Sequence, residues 1–426
     1  MAEETTADDG LKRLKQSELD AVIDLHEKFI TGRKGGIRAR LTNYDLTKMV
    51  FEDRDLSDAD FTGSVLVEAK MRGVKLERAV LYCTDMRRAD LRNANLARAD
   101  LRGASLRGAV LAGANMLGVD LREGSLASAG AGGELKTAHA QLTARDKGGA
   151  NLSGANLTDA KLSGAVAIGT DFSEARLKST KIKNAVLDNA NFNFANLENA
   201  DLSECDLSKA TLNGAVIVGT SINLSNVPME HRAGILTNTP MGPTLANLPL
   251  PLDELVRNHQ LWVESNGAKG TRLNLNNYDL RGSSGFFRVC LTMLTAAAAT
   301  LYGVTFSESQ IQAADFRQSD LRHANFDRSD LRGTKFDVTH LSNATFVGAN
   351  LEPLVLGKSK SMPTNFEGAT LRFADFAGAN LRNVSFKGAD LSDCNFQGAD
   401  LSEAILTDAK LDGTRVTEVQ LSTAMR

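Results

Sequence analysis

The densest run of charged side chains lies between Lys70 and Arg107. It holds ten basic residues, Lys70, Arg72, Lys75, Arg78, Arg87, Arg88, Arg92, Arg98, Arg102 and Arg107, against four carboxylates, Glu77, Asp85, Asp90 and Asp100. Such a run suits an anion-facing surface that meets nucleic acid, an acidic protein or a lipid headgroup. Its candidate partner-binding residues are Arg72, Arg87, Arg92, Arg98, Arg102 and Arg107. The competing reading is a solvated surface on which neighbouring Asp residues neutralise the arginines laterally. The rest of the chain offers little to covalent or metal chemistry. Six histidines, His26, His139, His231, His259, His323 and His340, form no group with cysteine or carboxylate, and Cys83, Cys205, Cys290 and Cys394 lack metal-site or disulfide spacing. Turns at 32–36 and 266–271 carry Gly and Lys but lack the spacing and the preceding buried strand of a phosphate loop. No nucleophile, base and orienting group are gathered in one place, so the expectation is no enzyme, no cofactor and no metal.

The elements that position these side chains follow from a simpler signal, one large apolar residue in every five. It runs from Leu41 to Leu126, from Leu152 to Ile222 and from Phe286 to Leu421, lapsing at Ala167, Ala296 and Ser361, with Leu275 and Leu280 one residue out of phase. A small residue stands two places before the apolar one and Asp or Asn one place before, as in Ala89-Asp90-Leu91 and Ala399-Asp400-Leu401. A helix repeats its face every ~3.6 residues and a strand every ~2, so neither keeps such a row buried. Each unit must bury its apolar residue by stacking on its neighbours, which is the logic of a solenoid.

This unit, Ala-Asp/Asn-Leu/Phe followed by two variable residues, resembles the pentapeptide repeat family. The resemblance implies an all-β solenoid, a right-handed quadrilateral β-helix with one pentapeptide per side, whose central residue and preceding small residue point inward. The sequence offers a separate check on four sides. The central residue alternates through Phe316, Leu321, Phe326, Leu331, Phe336, Leu341 and Phe346, and again from Phe366 to Phe396. On a four-sided coil that alternation puts Phe on two opposite walls and Leu on the other two, whereas three sides would mix them. The same coil stacks Arg72 on Arg92, Arg87 on Arg107, Arg78 on Arg98 and Arg102 on Arg122.

The chain reads as a duplicated cap and rod. Leu19, Val22, Ile23, His26, Phe29 and Ile30 match Leu252, Leu255, Val256, His259, Trp262 and Val263, each set spaced as one face of an amphipathic helix. Both copies then enter the repeats through Asn-Tyr-Asp-Leu, at 43–46 and 277–280. Ser17 is the expected helix N-cap in the first copy, and Pro251 the helix start in the second. The expected organisation is a disordered segment 1–15, a helical cap and turn 16–40 and a first solenoid 41–222 interrupted by a loop at 127–149. A Pro-rich connector 223–250, a second cap and turn 251–274 and a second solenoid 275–426 complete it. The two short α-helical caps carry His26, Phe29, His259 and Trp262, and cover edges that would otherwise present unpaired backbone groups.

The chain is nearly neutral, with net charge −3, and lacks an N-terminal signal segment, so a cytoplasmic protein with no membrane span is expected. The repeat continues to Leu421 without a recognisable cap, which predicts end-to-end homodimerisation through Val416, Val419, Leu421 and Met425. The expected function is a non-catalytic structural or protein-interaction scaffold that presents rigid rods to a protein partner. The resemblance implies an alternative, since one branch of the family mimics DNA and modulates or protects type II topoisomerases such as DNA gyrase. Direct nucleic-acid binding through the Arg belt is the third reading and the least favoured, so nucleic acid is not an expected partner.

Overall fold

The structure, a computed structural model, describes residues 11–124, 127–129, 135–137, 149–225, 227–357 and 360–425. These fall into two compact units, Met1–Asn238 and Thr239–Arg426. In each, the residue before most apolar centres forms a parallel bridge to the residue twenty places on. Arg40↔Asp60, Asp45↔Val65, Val50↔Lys70 and Asp55↔Lys75 make one such coil, one bridge per side. Four sides therefore close each turn, and the apolar centres line a bore in which Leu46, Phe51, Leu56 and Phe61 are wholly buried.

Local chemistry explains each position of the unit. The N–H of the small residue closes a turn onto the preceding centre, as Ala59 does to the Leu56 carbonyl at 3.1 Å. The residue before it is left-handed, Asp58 at φ 64°. Turns of this kind favour Gly or Asn at that place, because other L residues cost roughly 1–2 kcal/mol there. Asp or Asn at the bridge position accepts the N–H two residues on, as Asp60 Oδ1 does from Thr62 at 3.0 Å. Where the small inward residue is Ser, Thr or Cys, its side chain often donates to a centre carbonyl one coil back. Thr180 reaches Leu157 at 2.7 Å, Thr334 reaches Ile311 at 2.8 Å and Cys394 reaches Leu371 at 3.0 Å.

In the first unit, helix α1 (Gln16–Ile30) lies on the opening coil, burying Leu19, Ile23 and His26. Its N-cap is Lys15, not Ser17, with the Lys15 N–H donating to Glu18 at 2.7 Å. Strand β1 (Lys12–Arg13) pairs in parallel with β2 (Tyr44–Asp45), so part of the segment read as disordered joins the first coil. The ladder steps by twenty as far as Asp100↔Asp120 and then jumps, Ser105↔Asn151. Leu152 takes the wall position after Leu121, so the phase slip in the sequence marks an excursion that leaves after Leu121 and returns at Ala150. Leu126, counted in the beat, and most of 127–149 lie outside the described residues, apart from β3 (Ala127–Ala129) antiparallel to β4 (Leu135–Thr137). At the neck, a Cβ on Gly149 would stand 2.5 Å from the Ile168 carbonyl oxygen, so that position requires glycine. Coil pairing continues to Val216↔Leu236, past the point where a connector was expected, because Val227 and Leu236 are buried against the last coil.

The second unit opens with helix α2 (Leu252–Glu264), capped by Pro251 and burying Leu252, Val256 and His259. Its first coil has one extra residue, Asn274↔Thr295 and Asp279↔Thr300, which accounts for the phase of Leu275 and Leu280. Above it Phe286, Phe306, Phe326, Phe346, Phe376 and Phe396 climb one wall, and Phe316, Phe336, Phe366 and Phe386 the opposite one. Rings on one wall stack 4.7–5.3 Å apart within 26° of parallel, and Phe336 meets Phe346 across the bore edge to face at 6.1 Å and 87°. Lys335↔Asn365 skips ten extra residues, which form a hairpin of β5 (Leu354–Val355) and β6 (Ser361–Met362). Leu356 and Ser361, counted as bore positions, belong to this hairpin, and Leu356 is 55% exposed. The last turn differs from expectation too. Instead of carrying the repeat to Leu421, residues Glu418–Ser422 form a short helix, α3, and Met425 pairs with Ile405.

Candidate interaction surfaces

The candidate arginines do stack between coils as the period requires, yet they do not form an uncompensated belt. Arg87, Arg92 and Arg102 each fold back on the Asp two residues before, with closest contacts of 2.7 Å to Asp85, 2.5 Å to Asp90 and 2.7 Å to Asp100. Each pair is bidentate, for example Arg92 Nε to Asp90 Oδ1 at 2.8 Å beside the Nη2 contact to Oδ2. Arg102 also lies 3.7 Å from Asp120, which in turn binds Arg122 at 2.7 Å, so carboxylates alternate with guanidiniums up this wall. The hydrogen bond from Arg92 holds the Asp90 carboxyl below the ordinary carboxylate range despite its partial burial. The rule holds in the second unit, at Asp279–Arg281, Asp315–Arg317, Asp320–Arg322 and Asp330–Arg332. It arises because the bridge residue and the residue after the centre project outward from the same strand, two places apart. Arg107 is half-buried, while Arg72 and Arg98 are exposed and form no ion pair among the described residues. The ring of Tyr82 sits 5.1 Å from the Arg102 guanidinium, an aromatic contact on the belt.

The cap histidines accept the corresponding backbone N–H in both units and differ at Nε2, which at His259 has no hydrogen-bond partner among the described residues. His26 Nδ1 accepts the Ala39 N–H at 3.0 Å and His259 Nδ1 accepts the Leu273 N–H at 3.0 Å. His26 therefore carries its proton on Nε2, which donates to the Ser57 carbonyl at 2.9 Å. Each ring stacks on the aromatic one helical turn on, Phe29 at 5.8 Å and Trp262 at 5.7 Å. Both histidines are fully buried, and burial lowers both pKa values, opposed at His26 by the Ser57 carbonyl and by Asp55 and Asp58.

At the far end of the second unit, Val416, Leu421, Val419 and Met425 form an incompletely covered apolar edge, with Val419 75% and Met425 50% exposed. The short helix α3 does satisfy part of the edge below it. Gln420 Nε2 donates to the Phe396 and Ala399 carbonyls at 2.7 and 2.8 Å. Sequence reading missed this because Val416 and Leu421 keep the beat while the chain between them turns helical.

The described residues of the first unit include open surface concavities. One of about 430 Å³ is lined by Asp24, Glu27, Lys28, Ile30, Thr31, Arg33 and Asp55, and another of about 450 Å³ by Arg102, Arg122, Glu123, Gly149, Ile168, Gly169 and Asn189. Among the described residues, no three His, Cys, Asp or Glu side chains are placed to hold a metal ion, and no helix is long and apolar enough to cross a membrane.

Comparison with known proteins agrees with this geometry. The family model for pentapeptide repeats matches residues 55–93, 89–126, 150–189, 185–226, 299–337, 364–388 and 385–422, more than half of the chain. No curated protein matches the sequence. Among solved structures, HetL, a pentapeptide repeat protein involved in heterocyst differentiation regulation from Nostoc sp. strain PCC 7120, is 17% identical. The alignment covers 91% of this chain and 93% of HetL, with TM-score 0.15. QnrB1, a plasmid-mediated fluoroquinolone resistance protein, is 17% identical over 47% of this chain and 92% of its own, with TM-score 0.23. Rfr23 from the cyanobacterium Cyanothece 51142 is 19% identical over 31% and 90%, with TM-score 0.18. Superpositions this loose say nothing about partners.

Proposed function

The chain belongs to the pentapeptide repeat family, and from that membership we propose that it works as a non-catalytic scaffold presenting stiff, outward-facing side-chain rows to a protein partner. The observation that carries this reading is how completely the bore is filled. Every centre from Leu41 to Leu121, and every Phe of the two facing columns, is at most 2% exposed, so along these stretches the bore is occupied by side chains rather than open to a substrate. Recognition then falls to the surface and to the places where the repeat is broken. The apolar edge of Val416, Val419, Leu421 and Met425 is the proposed self-association surface, because exposed Val419 and Met425 gain most by being covered.

The closed Asp–Arg pairs favour this scaffold over a topoisomerase-directed DNA mimic. A mimic needs carboxylates free to stand in for phosphates, and here Asp85, Asp90, Asp100 and Asp120 are already committed to guanidiniums. Gyrase supercoiling measured with and without a quinolone decides between them: the scaffold reading expects neither inhibition nor protection at micromolar protein, and either effect overturns it. For self-association, the expected result is a dimer in light scattering that dissociates when Val419→Glu and Met425→Glu are introduced.

A further inference from the structure

The duplicated caps provide an internal control on what the fold requires. In both, the turn after the helix folds back with the same bonds: Ile37 N–H to the Leu25 carbonyl at 2.9 Å, and Thr271 N–H to the Asn258 carbonyl at 3.2 Å. Arg38 Nε reaches the Asp58 carbonyl at 2.6 Å, and Arg272 Nε the Met293 carbonyl at 2.6 Å. Yet the first cap alone carries a concentrated basic and apolar set. Residues 28–44 contain Lys28, Arg33, Lys34, Arg38 and Arg40 and no carboxylate. In the second cap, Leu261, Thr271 and Asn274 occupy the places of Lys28, Ile37 and Arg40, and the turn between reads Asn266-Gly267-Ala268-Lys269.

The five cations of the first cap are exposed and form no ion pair among the described residues, unlike Arg87, Arg92 and Arg102 of the belt. The nearest carboxylates are engaged elsewhere, Asp24 and Glu27 with Arg54, Asp55 with Ser57 and Lys75, and Asp58 with Arg78. Among the cations stand Phe29, 43% exposed, and Ile37, 61% exposed. They are held at one turn because Gly36 packs on the Phe29 backbone, where a Cβ would come within 2.3 Å of the Phe29 nitrogen. Lys28 has a structural use, opposing the negative end of α1, and Arg38 shares its bond with Arg272. Neither account extends to Arg33, Lys34, Arg40 or Ile37.

We propose that the turn after α1 is a docking site for an anionic membrane surface, with Lys28, Arg33, Lys34 and Arg40 facing the headgroups and Phe29 and Ile37 entering the interfacial layer. Uncompensated cations flanking exposed apolar side chains are the combination that a lipid interface rewards, whereas a nucleic-acid backbone has no use for an exposed isoleucine. The inference goes beyond the scaffold reading and stands or falls separately from it.

The test is co-sedimentation of the full chain, with Glu3, Glu4, Asp8 and Asp9 of its N-terminus in place, on phosphatidylcholine vesicles with and without phosphatidylserine. Binding is expected on the anionic vesicles alone and is lost as salt rises. Arg33→Asn with Lys34→Ala uses residue types found in the second cap's turn at two exposed positions, and two charges near the surface correspond to about a 30-fold loss of partitioning. Ile37→Thr, borrowed likewise, should weaken binding several-fold at unchanged charge and an unchanged melting curve. Equal binding to both vesicle types, or unaltered binding by the double variant, overturns the proposal. So does a result in which the chain ignores vesicles but retards duplex DNA through the same arginine and lysine.

Discussion

The two solenoid units share one backbone and fill it differently. In the first, the bore is largely Leu and Met, with one edge-to-face pair, Phe51–Phe61 at 6.1 Å, and one stacked pair, Phe172–Phe192 at 4.9 Å. In the second, two continuous columns of Phe run up opposite walls. Coil spacing is set by backbone hydrogen bonds at roughly 4.8 Å, which is close to the preferred separation of stacked rings, so a parallel ladder aligns aromatic side chains without adjustment. The ladder thus fixes spacing and leaves composition free, and the second unit uses that freedom to add ring contacts on top of burial.

If that difference is energetic and not only compositional, the largest effect should come from the column itself. Phe336 stacks on Phe316 and Phe366 and meets Phe326 and Phe346 edge to face. Phe336→Ala is expected to cost about 3–5 kcal/mol in denaturant unfolding of the second unit, and Leu96→Ala in the first at least ~1 kcal/mol less. Equal losses would break the comparison. Next come two Asp–Arg pairs of like geometry and unlike burial. Asp279 and Arg281 expose 4% and 15% of their side chains, against 27% and 49% for Asp90 and Arg92. Asp279→Ala should cost about 3 kcal/mol, since it strands a buried guanidinium, and Asp90→Ala under about 1 kcal/mol.

Acid should separate the caps. A buried neutral histidine with a lowered folded pKa takes up fewer protons than the unfolded chain. Stability is therefore full above the unfolded value of about 6.5 and is lost as pH falls below it, by at most about 2 kcal/mol per histidine at pH ~5. Each histidine faces an arginine, Arg38 at His26 and Arg272 at His259, but only at His26 do carboxylates, Asp55 and Asp58, offset it, so thermal melts between neutral and mildly acidic pH should show the second unit losing more. Identical pH profiles would mean the cap environments do not differ in solution. The smallest effect is expected at the hairpin. Replacing residues 353–363 by one glycine restores the uninterrupted beat from Leu351 to Phe366 and should shift stability by no more than about 1 kcal/mol, read by the same unfolding curves.

Much of this was legible in the sequence because a fixed five-residue period admits few backbones, and the Phe–Leu alternation selected four sides. The excursion after Leu121 showed itself through a slip of phase. The hairpin after Leu351 did not, since ten inserted residues leave the phase intact and Leu356 imitates a bore residue. Ser361, with Pro353 and Pro363 beside the hairpin strands, was the available sign. The Asp–Arg pairing was readable too, for wherever Asp precedes a centre and Arg comes after it the pair closes. What density of arginine concealed was the smaller cluster around Arg33 and Lys34, which gains significance only when set beside its duplicate around Lys269.

The alternating walls also behave as a parity check on the gene. A duplication or deletion of one repeat turns every later wall by a quarter and brings each downstream Phe onto a Leu wall, an error felt along the whole remaining length. Two repeats restore parity, and an excursion from a corner never disturbs it. Copying accidents are thereby filtered by how many repeats they shift, which leaves corner loops as the places where this chain can acquire new segments without altering the coils downstream.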